Sequence, residues 1–211
     1  MNMTKGEQIT RKSFQIIRDR LGNRDYTSEK LEIITRIAHT TGDVDFATTF
    51  YMDQDALEKG IRAAQSACSI ISDVEMVRTG IRKTLANELG CEVSCFLNHP
   101  WVIKKSQTSR KTRSSLGMDR AGDGLNNAIV AIGNAPTALF RLLELIKNNK
   151  AAPALIIGVP VGFVGALESK TALFQSQYPC ITNLSERGGS PIAAAIVNGI
   201  LELALLQKNK S

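Results

Sequence analysis

The second half of the chain repeats one pattern three times: a short apolar run, a turn that contains glycine, and a segment long enough for a helix. The apolar runs occupy residues 128–132, 154–157 and 179–182. The turns that follow contain Gly133-Asn134, Gly158 to Gly165, and Arg187 to Ser190. This order of elements is typical of parallel sheets with helices on both faces. We therefore predict an α/β fold with a mostly parallel central sheet, helices on both faces, and a single domain over residues 1–211.

The other elements are predicted from apolar periodicity and from start and stop residues. We expect helices at 7–21, 55–67, 75–80, 82–89, 136–147, 166–175 and 191–206, and further strands at 47–52, 69–73 and 91–97. Ser190 suits the N-cap of the last helix, and Pro191 suits its first position.

Residues 104–124 differ from the rest of the sequence. They combine many basic side chains with serine, threonine and glycine, and show little apolar periodicity before Leu116. We expect a flexible basic surface loop here. The functional alternative is a mobile flap that closes over an anion through arginine and hydroxyl donors. A nucleic-acid contact also fits the charge, but only Trp101 lies nearby to stack on a base.

The composition narrows the classes of function without choosing one. A net charge of +6 suits an acidic small molecule as well as a nucleic acid. Cys91-x3-Cys95-x3-His99 is the closest approach to a metal-ligand cluster, but no second Cys/His pair completes a tetrahedral set, so we predict no metal site. The sequence shows no apolar run of about 18 residues and no basic-then-apolar leader. We therefore expect no membrane span, and a cytoplasmic protein with reduced thiols.

The glycine turns do not match nucleotide-binding motifs. In parallel α/β sheets, ligands bind beyond the carboxyl ends of the strands, where these turns are expected. Gly158-x3-Gly162-x2-Gly165 departs from the dinucleotide fingerprint and from the phosphate loop, which needs Gly-Lys-Ser/Thr. A Gly-x-Ser-x-Gly nucleophile elbow is also missing from the sequence. NAD and ATP are therefore poorly supported, and we predict no cofactor.

His39 is the strongest acid–base candidate. It lies near the end of a helix that Ser28 and Glu29 start and Gly42 stops. The apolar face of this helix is expected to contain Leu31, Ile34, Ile37 and Ala38, and the opposite face Glu32, Arg36 and His39. We interpret the polar face as presenting His39 to an anionic ligand, with Arg36 as the anion clamp.

A histidine without a paired nucleophile or metal suits a reaction that moves one proton. The end of its helix favours the charged form of His39, whereas Arg36 opposes it. The second histidine, His99, precedes Pro100 and is interpreted as a turn residue.

Ser13 is a small polar residue on the expected buried side of the first helix. That side is marked by Ile9, Phe14, Ile16, Ile17 and Leu21. Two interpretations stay open: the hydroxyl bonds to its own helix backbone, or it contacts a bound ligand.

Several segments resemble the precorrin-8X methylmutase family, the precorrin isomerases of corrin-ring biosynthesis. They are Arg11-Lys-Ser-Phe-Gln-Ile-Ile-Arg18, Arg36 to Gly42, Ser72-Asp-Val-Glu-Met-Val77, Ile132-Gly-Asn-Ala-Pro-Thr-Ala-Leu139, Gly158 to Lys170, and Gly188-Gly189-Ser190. The likeness runs over nearly the whole chain, and the Ile132–Leu139 and Gly158–Lys170 blocks are long and specific.

The resemblance implies an activity and a set of site residues. The family moves a methyl group from C-11 to C-12 of the ring, converting precorrin-8X to hydrogenobyrinate or cobalt-precorrin-8 to cobyrinate. The resemblance further implies a Rossmann-like domain, a homodimer, and a site near the subunit interface. His39 would handle the proton that accompanies the methyl shift. Ser13 and Arg36 match substrate-contacting residues of the family, and Arg113 matches a further basic contact.

The residue chemistry agrees with this assignment. The substrate bears many carboxylates, which suits Arg36, Arg113 and the basic segment 104–120. Phe163 and Val164 are expected to provide an apolar wall for the tetrapyrrole. A sigmatropic methyl shift needs no external methyl donor, and any cobalt would arrive inside the substrate. The alternatives are a corrinoid-binding or carrier protein without turnover, and a nucleic-acid binder that uses residues 104–120.

Overall fold

A computed structural model describes residues 3–22, 24–52 and 54–209 of the chain. Its centre is a six-stranded sheet in the order β1-β6-β5-β4-β2-β3. The strands are β1 Phe50–Met52, β2 Ile70–Ser72, β3 Val93–Cys95, β4 Ile129–Ile132, β5 Leu155–Gly158 and β6 Cys180–Asn183. Only the edge strand β1 is antiparallel to its neighbour; the other described pairings are parallel. The predicted mostly parallel sheet is confirmed.

Eleven α-helices are formed within the described residues. They are α1 Lys5–Leu21, α2 Ser28–Thr41, α3 Val44–Thr48, α4 Gln54–Gln65, α5 Glu75–Gly80, α6 Lys83–Leu89, α7 Pro100–Thr108, α8 Arg113–Ala121, α9 Pro136–Lys147, α10 Ala166–Gln175 and α11 Ser190–Lys208. A short 3-10 helix, Gly122–Leu125, joins α8 to β4.

The helices form one layer on each face of the sheet. Side chains alternate along β4, so Ile129 and Ala131 join one hydrophobic core and Val130 and Ile132 the other. The first core contains side chains of α1 to α6 and α11, which we call the α11 layer. The second contains side chains of α8, α9 and α10, which we call the α9 layer. The predicted helices on both faces are therefore confirmed.

The expectation of a flexible loop at residues 104–124 is wrong. Most of this segment lies in α7 and α8, which are separated by residues 109–112. The His99 imidazole caps α7 by accepting the Trp101 N–H, and the Thr112 hydroxyl caps α8 by accepting the Ser115 N–H. The α8 residues Ser114 to Met118 are all buried. Because small residues form much of this buried face, hydropathy alone does not reveal the helical period.

Three smaller expectations are also corrected. Ala47 lies in α3, so the strand predicted at 47–52 is only Phe50–Met52. Gly189, with φ of 128°, is the cap of α11, and Ser190 is its first residue. Ile9 and Ile16, predicted to be buried, are 61% and 43% exposed.

The last helix, α11, is long and apolar enough by length and composition to cross a membrane. However, 61% of its most apolar 18-residue stretch is buried inside the structure. There α11 packs against α2, α4 and α5. A mostly buried helix of this kind is a core helix, because its apolar side chains are already covered by protein.

Candidate active site

The end of α2 places His39 at the surface beside α1. Thr27 caps the start of α2, and Gly42 ends it in the left-handed conformation, with φ of 68°. Ile33, Ile34 and Ile37 are buried in the α11 layer, whereas His39 is exposed. The predicted helix and its stop at Gly42 are therefore confirmed.

Two residues of α1 contact the His39 imidazole. The Ser13 hydroxyl lies 2.9 Å from His39 Nδ1 at hydrogen-bond distance. The Phe14 ring meets the imidazole in a T-shaped contact, with 5.3 Å between centroids. This geometry shows that the Ser13 hydroxyl bonds to His39. The hydroxyl can donate to Nδ1 or accept from it, so either neutral tautomer is compatible with the contact.

His39 and Ser13 line a cleft of about 350 Å³ between α1 and the end of α2. The other lining residues are Ile9, Lys12, Ile16, Ile17, Arg20, Ala38, Gly42 and Val44. The volume lies at the lower end of the range for ligand pockets in proteins. The cleft is mainly apolar, and its ionisable side chains are two cations and the imidazole.

Arg36 faces a different hollow. Its guanidinium pairs with Glu32 at 2.8 Å and with Glu202, and it lies 5.4 Å from the centroid of Phe14. Arg36 lines a hollow of about 690 Å³ that also includes Arg18 and Arg82. Because its guanidinium already pairs with two carboxylates, Arg36 is not a free anion clamp in this structure.

Arg113 lies apart from the other three predicted site residues. It is the exposed first residue of α8 in the α9 layer, whereas His39 belongs to the α11 layer. The neighbouring Thr112 hydroxyl lies 2.8 Å from the Thr137 hydroxyl, at the start of the helix that follows β4. Arg113 is therefore near the carboxyl ends of the parallel strands, which we call the carboxyl edge.

The carboxyl edge also carries an exposed apolar turn. Phe163 and Val164 are 94% and 89% exposed. The turn that bears them is tied to the β6–α11 connection by the Gly162 N–H to Glu186 carbonyl bond, at 3.0 Å. A Cβ atom on Gly188 would lie 2.3 Å from the Val159 carbonyl oxygen, so only glycine fits this approach. The two large side chains are thus held on a defined backbone.

A sequence profile of the precorrin-8X methylmutase family matches residues 8–203. The chain belongs to the precorrin-8X methylmutase family. It is 39% identical over 209 residues to the cobalt-precorrin-8 methylmutase of Methanocaldococcus jannaschii, covering 96% of each chain. It is 35% identical over 197 residues to the precorrin-8X methylmutase of a Sinorhizobium species, covering 92% of this chain and 93% of that one.

Solved structures of the family share this fold. The crystal structure of precorrin-8X methyl mutase from Thermus thermophilus superimposes with a TM-score of 0.87 at 31% identity, covering 94% of this chain and 98% of that one. A precorrin-8X methylmutase related protein superimposes with a TM-score of 0.79 at 32% identity. The Rossmann-like α/β class implied by the sequence resemblance is confirmed.

Asp73 occupies the position where many parallel α/β proteins bind a ligand. The chain reverses direction across the sheet between β2 and β4, and Asp73 directly follows β2. Its buried carboxylate accepts the N–H groups of Gly133, Asn134 and Ala135 at 3.0, 2.9 and 2.7 Å. Burial raises the pKa of Asp73, while these three bonds oppose the rise. In this methylmutase family member, the N-terminus of α9 therefore binds a carboxylate of its own chain.

Lys170 is a second buried residue whose role the sequence did not reveal. Its Nζ atom donates to the Arg187 carbonyl at 2.7 Å and to the Asn183 side-chain oxygen at 3.3 Å. Burial lowers the pKa of Lys170 to about 8. The Arg187 guanidinium in turn pairs with Asp43 at 2.8 Å and covers the Phe46 ring at 3.8 Å. Lys170 thus holds the backbone of the residue that braces the α2–α3 junction near His39.

The described residues offer no group of three or more His, Cys, Asp or Glu side chains arranged for a metal ion. Cys68, Cys91, Cys95 and Cys180 form no disulfide bonds in the part of the chain that the structure describes. Of the sequence-predicted site residues, Ser13 and His39 come together, Arg36 contacts Phe14 but lines a different hollow, and Arg113 is separate.

Proposed function

We propose that this chain catalyses the intramolecular migration of a methyl group from C-11 to C-12 of a precorrin-8 macrocycle. The reaction would convert precorrin-8X into hydrogenobyrinate, or cobalt-precorrin-8 into cobyrinate. Membership of the methylmutase family supports the reaction class. The Ser13–His39 contact of 2.9 Å, in a mainly apolar cleft, is the observation that supports placing the reaction at this site.

In this proposal His39 moves the proton that accompanies the shift. With Nδ1 bonded to Ser13, Nε2 is the nitrogen available to the substrate. Protonation of the ring by His39 makes the macrocycle more electron-deficient and lowers the barrier to migration. The bond from C-11 to the methyl carbon breaks as the bond to C-12 forms, and the proton returns to His39. Substrate and product are isomers, so atoms and electrons balance without a co-reactant.

The Ser13 hydroxyl would serve both proton states of His39. It would accept a hydrogen bond from Nδ1–H in the imidazolium and also in the neutral imidazole that remains once Nε2 has released its proton. We further propose that Ser13 and Arg36 contact the substrate. For Arg36 this requires a substrate carboxylate to replace Glu32 or Glu202, since both now pair with its guanidinium.

Arg113 supports a homodimer with the site near its interface. Within one chain, Arg113 and His39 lie in different layers. Arg113 lies near the carboxyl edge, and the end of the His39 helix is linked to the same edge by the ion pair of Asp43 with Arg187 in the β6–α11 connection. The exposed Phe163 and Val164 at that edge give a second copy an apolar surface to cover. We propose that one subunit supplies His39 and its partner supplies Arg113. We also propose that residues 1–211 form one domain and that the enzyme is cytoplasmic.

The test is turnover by the purified full-length protein, without a methyl donor. Incubation with precorrin-8X and, separately, cobalt-precorrin-8 is followed by absorption spectroscopy and mass spectrometry. The proposal predicts a new absorption spectrum at unchanged mass for at least one substrate. A corrinoid carrier, the alternative that the same cleft permits, would bind the macrocycle and leave its covalent structure unchanged.

A further inference from the structure

The free positive charge around His39 lies on α1. Lys12 and Arg20 line the same cleft as His39. Within residues 3–22, 24–52 and 54–209, neither side chain is in an ion pair, whereas Arg36 has two carboxylate partners. The cleft contains no carboxylate, and the adjoining hollow contains Asp43 and Asp45, of which Asp43 already pairs with Arg187. An anion in the cleft would therefore meet two available cations.

The same face of α1 exposes apolar side chains that the fold does not bury. Ile9 and Ile16 also line the cleft, and they are 61% and 43% exposed. Positions 9, 12, 16 and 20 are separated by three or four residues, so they share one side of the helix. Lys12 and Arg20 are eight residues apart, which corresponds to about 12 Å along the helix axis. The face therefore combines an apolar surface with two separated positive charges.

We propose that Lys12 and Arg20 bind carboxylates at the rim of the tetrapyrrole while Ile9 and Ile16 pack against its apolar face. This inference rests on the proposed function, because it takes the substrate to be a polycarboxylate macrocycle. An apolar ring with acidic side chains is complementary to this face in both polarity and charge. The α1 helix, which also supplies Ser13 to the imidazole, is then the wall that orients the ring over His39.

The experiment pairs loss of charge on the protein with loss of charge on the ligand. Wild type, Lys12→Gln, Arg20→Gln and the double variant are titrated with cobyrinate and with its fully methyl-esterified form. Lys147→Gln and Arg62→Gln are matched controls, since Lys147 ends α9 and Arg62 lies on α4, outside the cleft. Lys12 and Arg20 are exposed, so we expect all variants to fold, which circular dichroism checks.

We expect each cleft substitution to raise the Kd for cobyrinate about tenfold, as for loss of one charge-assisted hydrogen bond. The KM for turnover should rise in parallel, and the controls should match wild type. Esterification should weaken binding to wild type much more than binding to the double variant. Added salt should likewise weaken cobyrinate binding to wild type more than binding to the double variant.

Two outcomes overturn the inference in distinguishable ways. If wild type binds and turns over but both cleft variants keep its Kd for cobyrinate, then Lys12 and Arg20 do not bind carboxylates, and the proposed function stands. If wild type neither binds nor converts the macrocycle, then the proposed function fails and the inference fails with it.

Discussion

At the scale of single residues, the sequence pointed to His39 as the candidate acid–base group but not to its hydrogen-bond partner. His39 was accessible to sequence reasoning because histidine is rare in this chain and a glycine stop fixes its place near a helix end. The hydrogen bond to Ser13 was not, because it joins two helices whose packing depends on buried residues such as Ile17 and Ala38. The ion pair of Arg36 with Glu202 was not predictable either, because the two residues lie far apart in the sequence.

The Ser13–His39 contact predicts a distinct kinetic effect. In Ser13→Ala the imidazole loses the hydroxyl that holds Nδ1, so we expect the turnover rate to fall roughly five- to tenfold, the usual effect of one lost hydrogen bond. Ser13→Thr keeps a hydroxyl and is the matched control. A turnover rate in Ser13→Ala equal to that of wild type would show that the contact has no part in the reaction.

At the scale of elements, start and stop residues gave good boundaries for several helices. Helices α5, α9 and α10 begin and end where the sequence predicted. Helix α8 was missed because its buried face includes Ser114, Ser115 and Gly117, which carry no hydropathy signal. The role of Asp73 was missed because its three N–H partners lie about sixty residues away.

The burial of Lys170 leads us to predict that the free energy of unfolding depends on pH. Its pKa is lowered to about 8 by burial, so between about pH 8 and its ordinary value of 10.5 the unfolded chain holds a proton that the folded chain has released. The contribution of Lys170 to the free energy of unfolding therefore rises with pH across this window, by at most about 3 kcal/mol. Lys170→Met removes this titration and serves as the reference, because other groups also titrate there.

The measurement is urea unfolding of both proteins at several pH values from 7.5 to 10.5. The free energy of unfolding of wild type minus that of Lys170→Met should grow steadily with pH. A constant difference would mean that burial does not depress the pKa of Lys170.

At the scale of the whole molecule, the placement of Arg113 and His39 in different layers is the basis of the proposed site shared by two copies. A two-fold axis close to the carboxyl edge would bring His39 of one subunit near Arg113 of the partner subunit. In the sequence analysis, the expectation of a homodimer rests only on the family resemblance. Nothing in the local pattern around Arg113 indicates which layer α8 joins.

Mixed dimers test this arrangement. We expect His39→Ala and Arg113→Ala each to be impaired alone, and their hybrid to contain one site with both residues intact. Random reassortment makes half of the dimers hybrids, so mixing should restore about a quarter of wild-type activity. If subunits exchange, as labelled protomers can show, and activity does not rise, then His39 and Arg113 do not act in one shared site.

The most direct test of the account is the single-turnover rate of His39→Ala beside wild type, with saturating cobalt-precorrin-8 or precorrin-8X and absorption as the readout. His39 is exposed, so the variant should fold and still bind the macrocycle. We predict that the methyl shift slows about 10²–10⁴-fold, as for loss of a positioned acid–base group. A folded, substrate-saturated variant that converts the ring at the wild-type rate would contradict the central role of His39.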